Sequence, residues 1–289
     1  MPFHFDVIRD GDQFSSRADG GAKFAIGKLA RYHGNLGLAN DNFPLGKQFI
    51  YKADDHRQGF GFWADFIEPT AICEGLSFLT LNTYDRAYFT FGFAQFAAHV
   101  PNGDFVTWLR AMLAEPEAND YFSDLGLQSG RVVKHSLNGI VPLESDDSTA
   151  PLMNYLNPTL TAIEDDEVVA AAKFIHWTMN HPNTQTLQVK QMVATGHAML
   201  VHADRRLGLD NVAGDLCCIV MDILHQGRGG SGTFPDMLKA LKTSDPYKAL
   251  LAIGADNEPG RVKTLKKELD ARRAAFAAKH WNSAQKEFV

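Results

Sequence analysis

The spacing of apolar and polar positions divides the chain into a mixed first part and a strongly helical second half. Residues 1–20 are polar and read as an irregular lead-in. From Ala22 to Tyr32, Phe24, Ile26, Leu29 and Ala30 fall at helical spacing and the pattern stops at Gly34. Asn35 to Gly46 reads as loop, rich in Gly and Asn and marked by Pro44. Phe60 to Phe66 is aromatic and contains glycine, a pattern open to either state. Pro69 suits a first helical turn, which predicts a short helix running into Cys73-Glu74. Ser77 to Thr83 and Ala87 to Gln95 are rich in β-branched and aromatic residues. With Asp85-Arg86 between them they read as a hairpin.

Beyond this point the helical period dominates. Asp104 can cap a helix through Met112. Residues 115–160, rich in Gly, Pro, Asp and Ser, read as a long excursion with short elements that shapes a substrate groove. Asp165 to Asn180 sets Val168, Ala171, Ala172, Ile175 and Met179 on one side. Further helices are predicted over Thr184–Asp204, Val212–Gln226, Phe234–Leu241, Tyr247–Ile253 and Arg261–Ala278. The expected class is α+β, mainly α, in one domain over 1–289. Within it, 60–100 forms a small β-containing lobe and 165–280 a larger helical lobe, with a cleft between them.

Composition narrows the chemistry. Hydrophobic residues are 45% of 289, enough for a substantial core. A net charge of −6 gives no nucleic-acid footprint. Cys73, Cys217 and Cys218 are an odd set with an adjacent pair and no CxxC, so reduced thiols are expected rather than a disulfide framework or a cysteine-held zinc. His197 and His202 are five apart, so they share no metal-binding helix face. The N-terminus lacks a basic segment followed by an apolar one, and no run of eighteen apolar residues occurs; neither a signal peptide nor a membrane span is expected.

The candidate chemistry lies in Glu74-Gly75-Leu76, Tyr84-Asp85 and Tyr88-Phe89-Thr90-Phe91-Gly92. Two carboxyls close in sequence and separated by a turn suit glycosidic cleavage. One donates a proton to the leaving oxygen, and the other stays ionised to hold a water or the sugar cation. Glu74 ends an apolar segment beside Ile72, Leu76 and Phe78, where desolvation should raise its pKa and keep it protonated. Asp85 is the second carboxylate, although Asp is also an ordinary turn residue. Thr90 would orient water, and Tyr88, two residues before it, would share its strand face. Gln95 lies further along the same strand and can hydrogen-bond sugar. Asp222, His225 and Gln226 end an apolar helix and would line the cleft from the helical lobe. Glu68 is a rival acid expected in a turn. Phe60, Phe62, Trp63 and Phe66 suit core packing or a sugar-stacking subsite. The glycine-rich 227–232 lacks a phosphate cradle and reads as a connection.

These motifs resemble the lysozyme superfamily, in which a helix ends at a catalytic Glu and a small hairpin carries Asp and Thr. Glu74-Gly75-Leu76 with Tyr88 to Gly92 is most similar to phage-type lysozymes. Asp85 to Thr90 also resembles bacterial chitosanases, a branch of the same superfamily. The specific likeness covers Glu74 to Gln95. It implies a two-lobed lysozyme-like fold and hydrolysis of a β-1,4-linked amino-sugar polymer, peptidoglycan first and chitosan as the alternative. A non-catalytic wall-binding protein is the reading from another class. The resemblance implies Glu74, Asp85 and Thr90 as catalytic residues, with no cofactor and no metal. The expected partner is the polysaccharide, with an inhibitor or immunity protein as a further one. Without a signal peptide, the protein would reach the wall or periplasm by lysis or by a dedicated secretion machine.

Overall fold

The computed structural model describes every residue except Asn42, so the loop reading of Asn35 to Gly46 lies outside the described residues at that position. In chain order, β1 (Phe5–Asp10), β2 (Gln13–Ala18), β3 (Phe24–Tyr32) and β4 (Asn35–Ala39) precede α1 (Ala53–Phe60) and α2 (Phe62–Cys73). Then come β5 (Leu81–Asn82), β6 (Thr90–Phe91), β7 (Phe96–Ala97), α3 (Asp104–Leu113), α4 (Ala118–Tyr121), β8 (Leu125–Gln128), β9 (Arg131–Ser136) and β10 (Gly139–Pro142). The remainder is α5 (Ala150–Leu156), α6 (Asp165–Asn180), α7 (Pro182–Leu207), α8 (Gly214–Gln226), α9 (Thr233–Leu241), α10 (Pro246–Leu251), α11 (Pro259–Ala277), β11 (Trp281–Asn282) and β12 (Glu287–Phe288). With 47% of residues helical and 19% in strands, the class is α+β, mainly α.

The chain forms two compact units. The first comprises Met1–Tyr51 and Gly75–Gln191, the second Lys52–Glu74 and Met192–Val289. The expected 60–100 lobe is therefore cut between Glu74 and Gly75, and α7 supplies residues to both units.

The first unit corrects the reading of the N-terminus. Residues 1–20 are no lead-in, and Ala22 to Tyr32 is no helix: β1 to β7 make one antiparallel meander in chain order. Phe24 and Ile26 alternate inward along β3, a strand period hidden by the helical placement of Leu29 and Ala30. Gly34 ends no helix. With His33 it forms the two-residue turn between β3 and β4, at φ +48° and +88°, the left-handed pair that such hairpins require. The sheet's inner face is covered by α6. Beneath it Phe91 stacks on Trp108 with centroids 5.7 Å apart, and Phe174 packs against both. The excursion over 115–160 contains a three-stranded sheet, β10-β9-β8, between α4 and α5.

In the second unit α2 packs against α1, α8 and α11. It runs through Pro69 rather than starting there, so a twelve-residue helix leads into Glu74. An interior proline costs about 3 kcal/mol; burial of Trp63, Ala64, Phe66, Ile67, Thr70 and Ala71 offsets it. Glu68 sits inside α2, not in a turn, and pairs with Arg272 at 2.8 Å. Of the aromatic cluster, Trp63 and Phe66 are core, Phe60 and Phe62 are half-buried, and the Trp63 indole donates to Glu287. The helices expected from Thr184 onward form, with ends shifted by at most three residues. Cys217 and Cys218 are buried free thiols, and Cys73 is a partly buried one. No helix among the described residues is long and apolar enough to cross a membrane.

Candidate functional site

The second unit gathers a chain of charges around Glu74. Glu74 caps the C-terminus of α2 with its side chain 13% exposed. Arg261, in the first turn of α11, donates from Nη1 to Glu74 Oε1 at 2.6 Å and from Nη2 to Asp222 Oδ1 at 2.7 Å. Asp222, on α8, is fully buried and also accepts from Arg228 Nη1 and from Thr70 Oγ1. His225, one turn further along α8, has Nε2 3.5 Å from Glu74 Oε1. Two carboxylates and two guanidinium groups thus alternate as Glu74–Arg261–Asp222–Arg228. Each buried charge faces an opposite one, without which its desolvation would be prohibitive.

Local sequence explains the placement. Gly227 ends α8 in the left-handed region at φ +76°, reversing the chain so that Arg228 returns beneath the helix. Arg228 Nε then donates to the Ile253 carbonyl at 3.0 Å. Gly254, at φ +66°, comes so close to the Arg228 backbone that an added Cβ would lie 2.4 Å from its carbonyl oxygen.

The electrostatics overturn one expectation. Burial alone pushes the Glu74 carboxyl up. The hydrogen bond from His225 and the Arg261 guanidinium more than offset that, and hold it below the usual carboxylate range. Glu74 is therefore ionised in the free protein rather than protonated by desolvation. Burial pushes the neighbouring Cys73 thiol up to about 12, so it remains an unreactive thiol.

Asp222 does not line a surface: it is fully buried and serves the two arginines. Gln226 donates to Glu258 at 3.1 Å. Of the three residues expected from α8, His225 alone contacts Glu74 among the described interactions.

Asp85, Tyr88, Thr90 and Gln95 belong to the first unit. The hairpin exists, with Leu81 opposite Phe91 and Asn82 opposite Thr90, but its loop is 83–89 and not Asp85-Arg86 alone. Asp85 organises that loop: Oδ1 accepts from the Ala87 amide at 2.8 Å and Oδ2 from Asn82 Nδ2 at 2.9 Å. Tyr88 precedes the strand at φ +58°, so it does not share a strand face with Thr90. Thr90 is 4% exposed. Gln95 lies in the turn between β6 and β7 at φ +52°, not further along β6. Asn157 pins the loop, donating to the carbonyls of Thr83 and Tyr88 at 2.9 Å each. Gly92 is required by its φ of +92° and by Gln188, whose Oε1 would lie 2.5 Å from an added Cβ.

Sequence reasoning missed Arg261 and Arg228. Arg261 stood in the Gly260-Arg261-Val262 start of the last helix. Arg228 was a lone cation between Gly227 and Gly229 after an apolar helix bearing Asp222; only the pairing of that aspartate with that arginine would have signalled a buried cluster. No family model, no curated protein and no solved structure matches the chain.

Proposed function

We propose that the protein is a glycoside hydrolase that cleaves β-1,4 linkages of peptidoglycan, with Glu74 as the proton donor. The observation that carries this reading is the Glu74–Arg261–Asp222–Arg228 chain. A partly exposed carboxyl at the end of a buried charge network, with a histidine beside it, has a perturbed titration, and perturbed groups cluster at functional sites. The likeness of Glu74 to Gln95 to phage-type lysozymes supplies the reaction class.

In this chemistry Glu74 acquires a proton when bound sugar excludes water and raises the cost of its charge. Its O–H then protonates the glycosidic oxygen. The C–O bond breaks with its electron pair leaving on that oxygen, and a cation develops on the sugar. The resemblance assigns the second-carboxylate role to Asp85, whose carboxylate within the first unit accepts from Asn82 Nδ2 and the Ala87 amide. The resemblance assigns Thr90, which is buried at the start of β6, to positioning the water.

Chitosan is the second reading. It is favoured by the net charge of −6, since an acidic protein attracts a cationic polymer and repels an anionic one. Incubation with purified sacculi and with chitosan, followed by mass analysis of products, separates the two. Cleavage after N-acetylmuramic acid supports peptidoglycan; rapid chitosan cleavage with intact sacculi selects the second reading. Binding to sacculi with no bond cleaved in either polymer leaves a non-catalytic wall-binding protein.

A further inference from the structure

The excursion over 115–160 and α6 line an open pocket of about 620 Å³, built wholly within the first unit. That volume lies in the range that holds small ligands, about 300–1,000 Å³. Its charges fall into two kinds. On one wall they are already matched: Tyr155 donates to Asp124 at 2.8 Å, and Lys134 lies 3.8 Å from Asp124 and 5.1 Å over the Tyr155 ring. The rest are not. Lys173 is partly buried with its ammonium 4.9 Å from the centroid of the Phe122 ring. Among the described residues it has no hydrogen-bond acceptor and no ion pair. Burial pulls its pKa down, against the opposing pull of Asp124 and Asp166. Glu164 and Asp166 line the same pocket, are exposed, and form no ion pair among the described residues.

The Lys173 ammonium, seated over the Phe122 ring with no acceptor from the described residues, is open to a ligand carboxylate. Carboxylates left open in the same pocket disfavour a ligand that is anionic throughout, such as a polyphosphate. A neutral sugar would leave both signs unmatched. A ligand with one carboxylate and one ammonium satisfies both. We propose that this pocket is a second ligand site for a short zwitterionic peptide, its carboxylate against Lys173 and its ammonium against Glu164 and Asp166. The assignment rests on the peptidoglycan reading only for the source of the peptide. The stems of peptidoglycan carry free carboxylates and, where a diamino acid is present, a free amine; chitosan carries no such peptide. The pocket would then hold the wall by its stem.

Calorimetric titration of the full chain tests this with a stem tetrapeptide containing a diamino acid. Two further probes are the same peptide with its carboxylates amidated and a peptide-free N-acetylglucosamine tetramer. The tetrapeptide should bind, and amidation or Lys173→Met should each weaken it at least about tenfold. Glu164→Gln with Asp166→Asn should also weaken it, and acetylating the peptide amine should then cost nothing more. These two positions are exposed, so the double variant decides the matter even if the Lys173 variant does not fold. Absence of tetrapeptide binding, or equal affinity in all variants, overturns the proposal. Glycan cleavage without peptide binding removes the pocket and leaves the hydrolase; peptide binding with intact glycan does the reverse.

Discussion

Arg261 Nη1 donates to Glu74 Oε1 at 2.6 Å, joining positions 187 residues apart in sequence. The same guanidinium is held from its other side by Asp222, which is itself held by Arg228. Glu74 therefore does not titrate as a solvated carboxyl: its proton affinity is set by burial, by the hydrogen bond with His225 and by the Arg261 cation. This relationship holds the proposed acid in place and, together with the His225 hydrogen bond, depresses its pKa.

Only protonated Glu74 can donate, and its pKa in the free protein lies below the usual value. The kcat/KM profile, which reports the free enzyme, should fall as pH rises through the acid range. Arg261→Gln removes the cation, so the fall should move to higher pH. The stability link has the opposite dependence. A depressed carboxyl pKa contributes stability above the unfolded value, about 4.3, and loses it as pH falls. Arg261→Gln should also cost about 3–5 kcal/mol by urea unfolding at neutral pH, because Asp222 and Glu74 lose their shared partner. An unmoved pH profile would separate Arg261 from the chemistry.

Glu167 is a pH-sensitive point in the first unit. It is fully buried, Thr83 Oγ1 donates to its Oε1, and its Oε2 has no partner among the described residues. Burial pushes its pKa up to about 7. A raised carboxyl pKa means that its stability contribution is complete below the unfolded value and is lost as pH rises toward 7. Glu167→Gln keeps the shape without the charge. It should raise the melting temperature at pH 8 and change it little at pH 4, as thermal unfolding at the two values will show.

Asn157 fixes the loop that carries Asp85 through its two bonds to Thr83 and Tyr88. Asn157→Ala leaves two carbonyls without their donor and should cost about 1–3 kcal/mol. Under the proposed chemistry it should also lower kcat more than it raises KM, because Asp85 is displaced while distant binding contacts remain. Steady-state kinetics on a soluble glycan checks the split.

The helical half was legible because long segments such as 165–180 repeat their apolar positions at the helical period. The first forty residues were not. In β3 the placement of Leu29 and Ala30 mimicked a helix, and the turn signal His33-Gly34 was read as a helix stop. A sheet made by short strands pairing in sequence leaves little periodicity in any one of them. Pro69 misled in the same way: tertiary burial carries α2 through a residue that normally starts or ends a helix. At the candidate site, Glu74 and His225 were visible as residue types beside a motif or a helix end. The burial of Asp222 and its partners was not, since Arg228 and Arg261 meet it through turns that only the folded chain brings together.

In the proposed chemistry Glu74 protonates a glycosidic bond. Gln at this position keeps an acceptor for Arg261 but has no acidic proton to give. The direct measurement is the rate of release of soluble fragments from purified sacculi by the wild-type protein and by Glu74→Gln, with mass analysis of the new reducing ends. The account predicts N-acetylmuramic acid ends from the wild type and a loss of at least about a hundredfold in a folded Glu74→Gln protein. A fully active Glu74→Gln protein, or wild-type protein that opens no glycosidic bond, would contradict it.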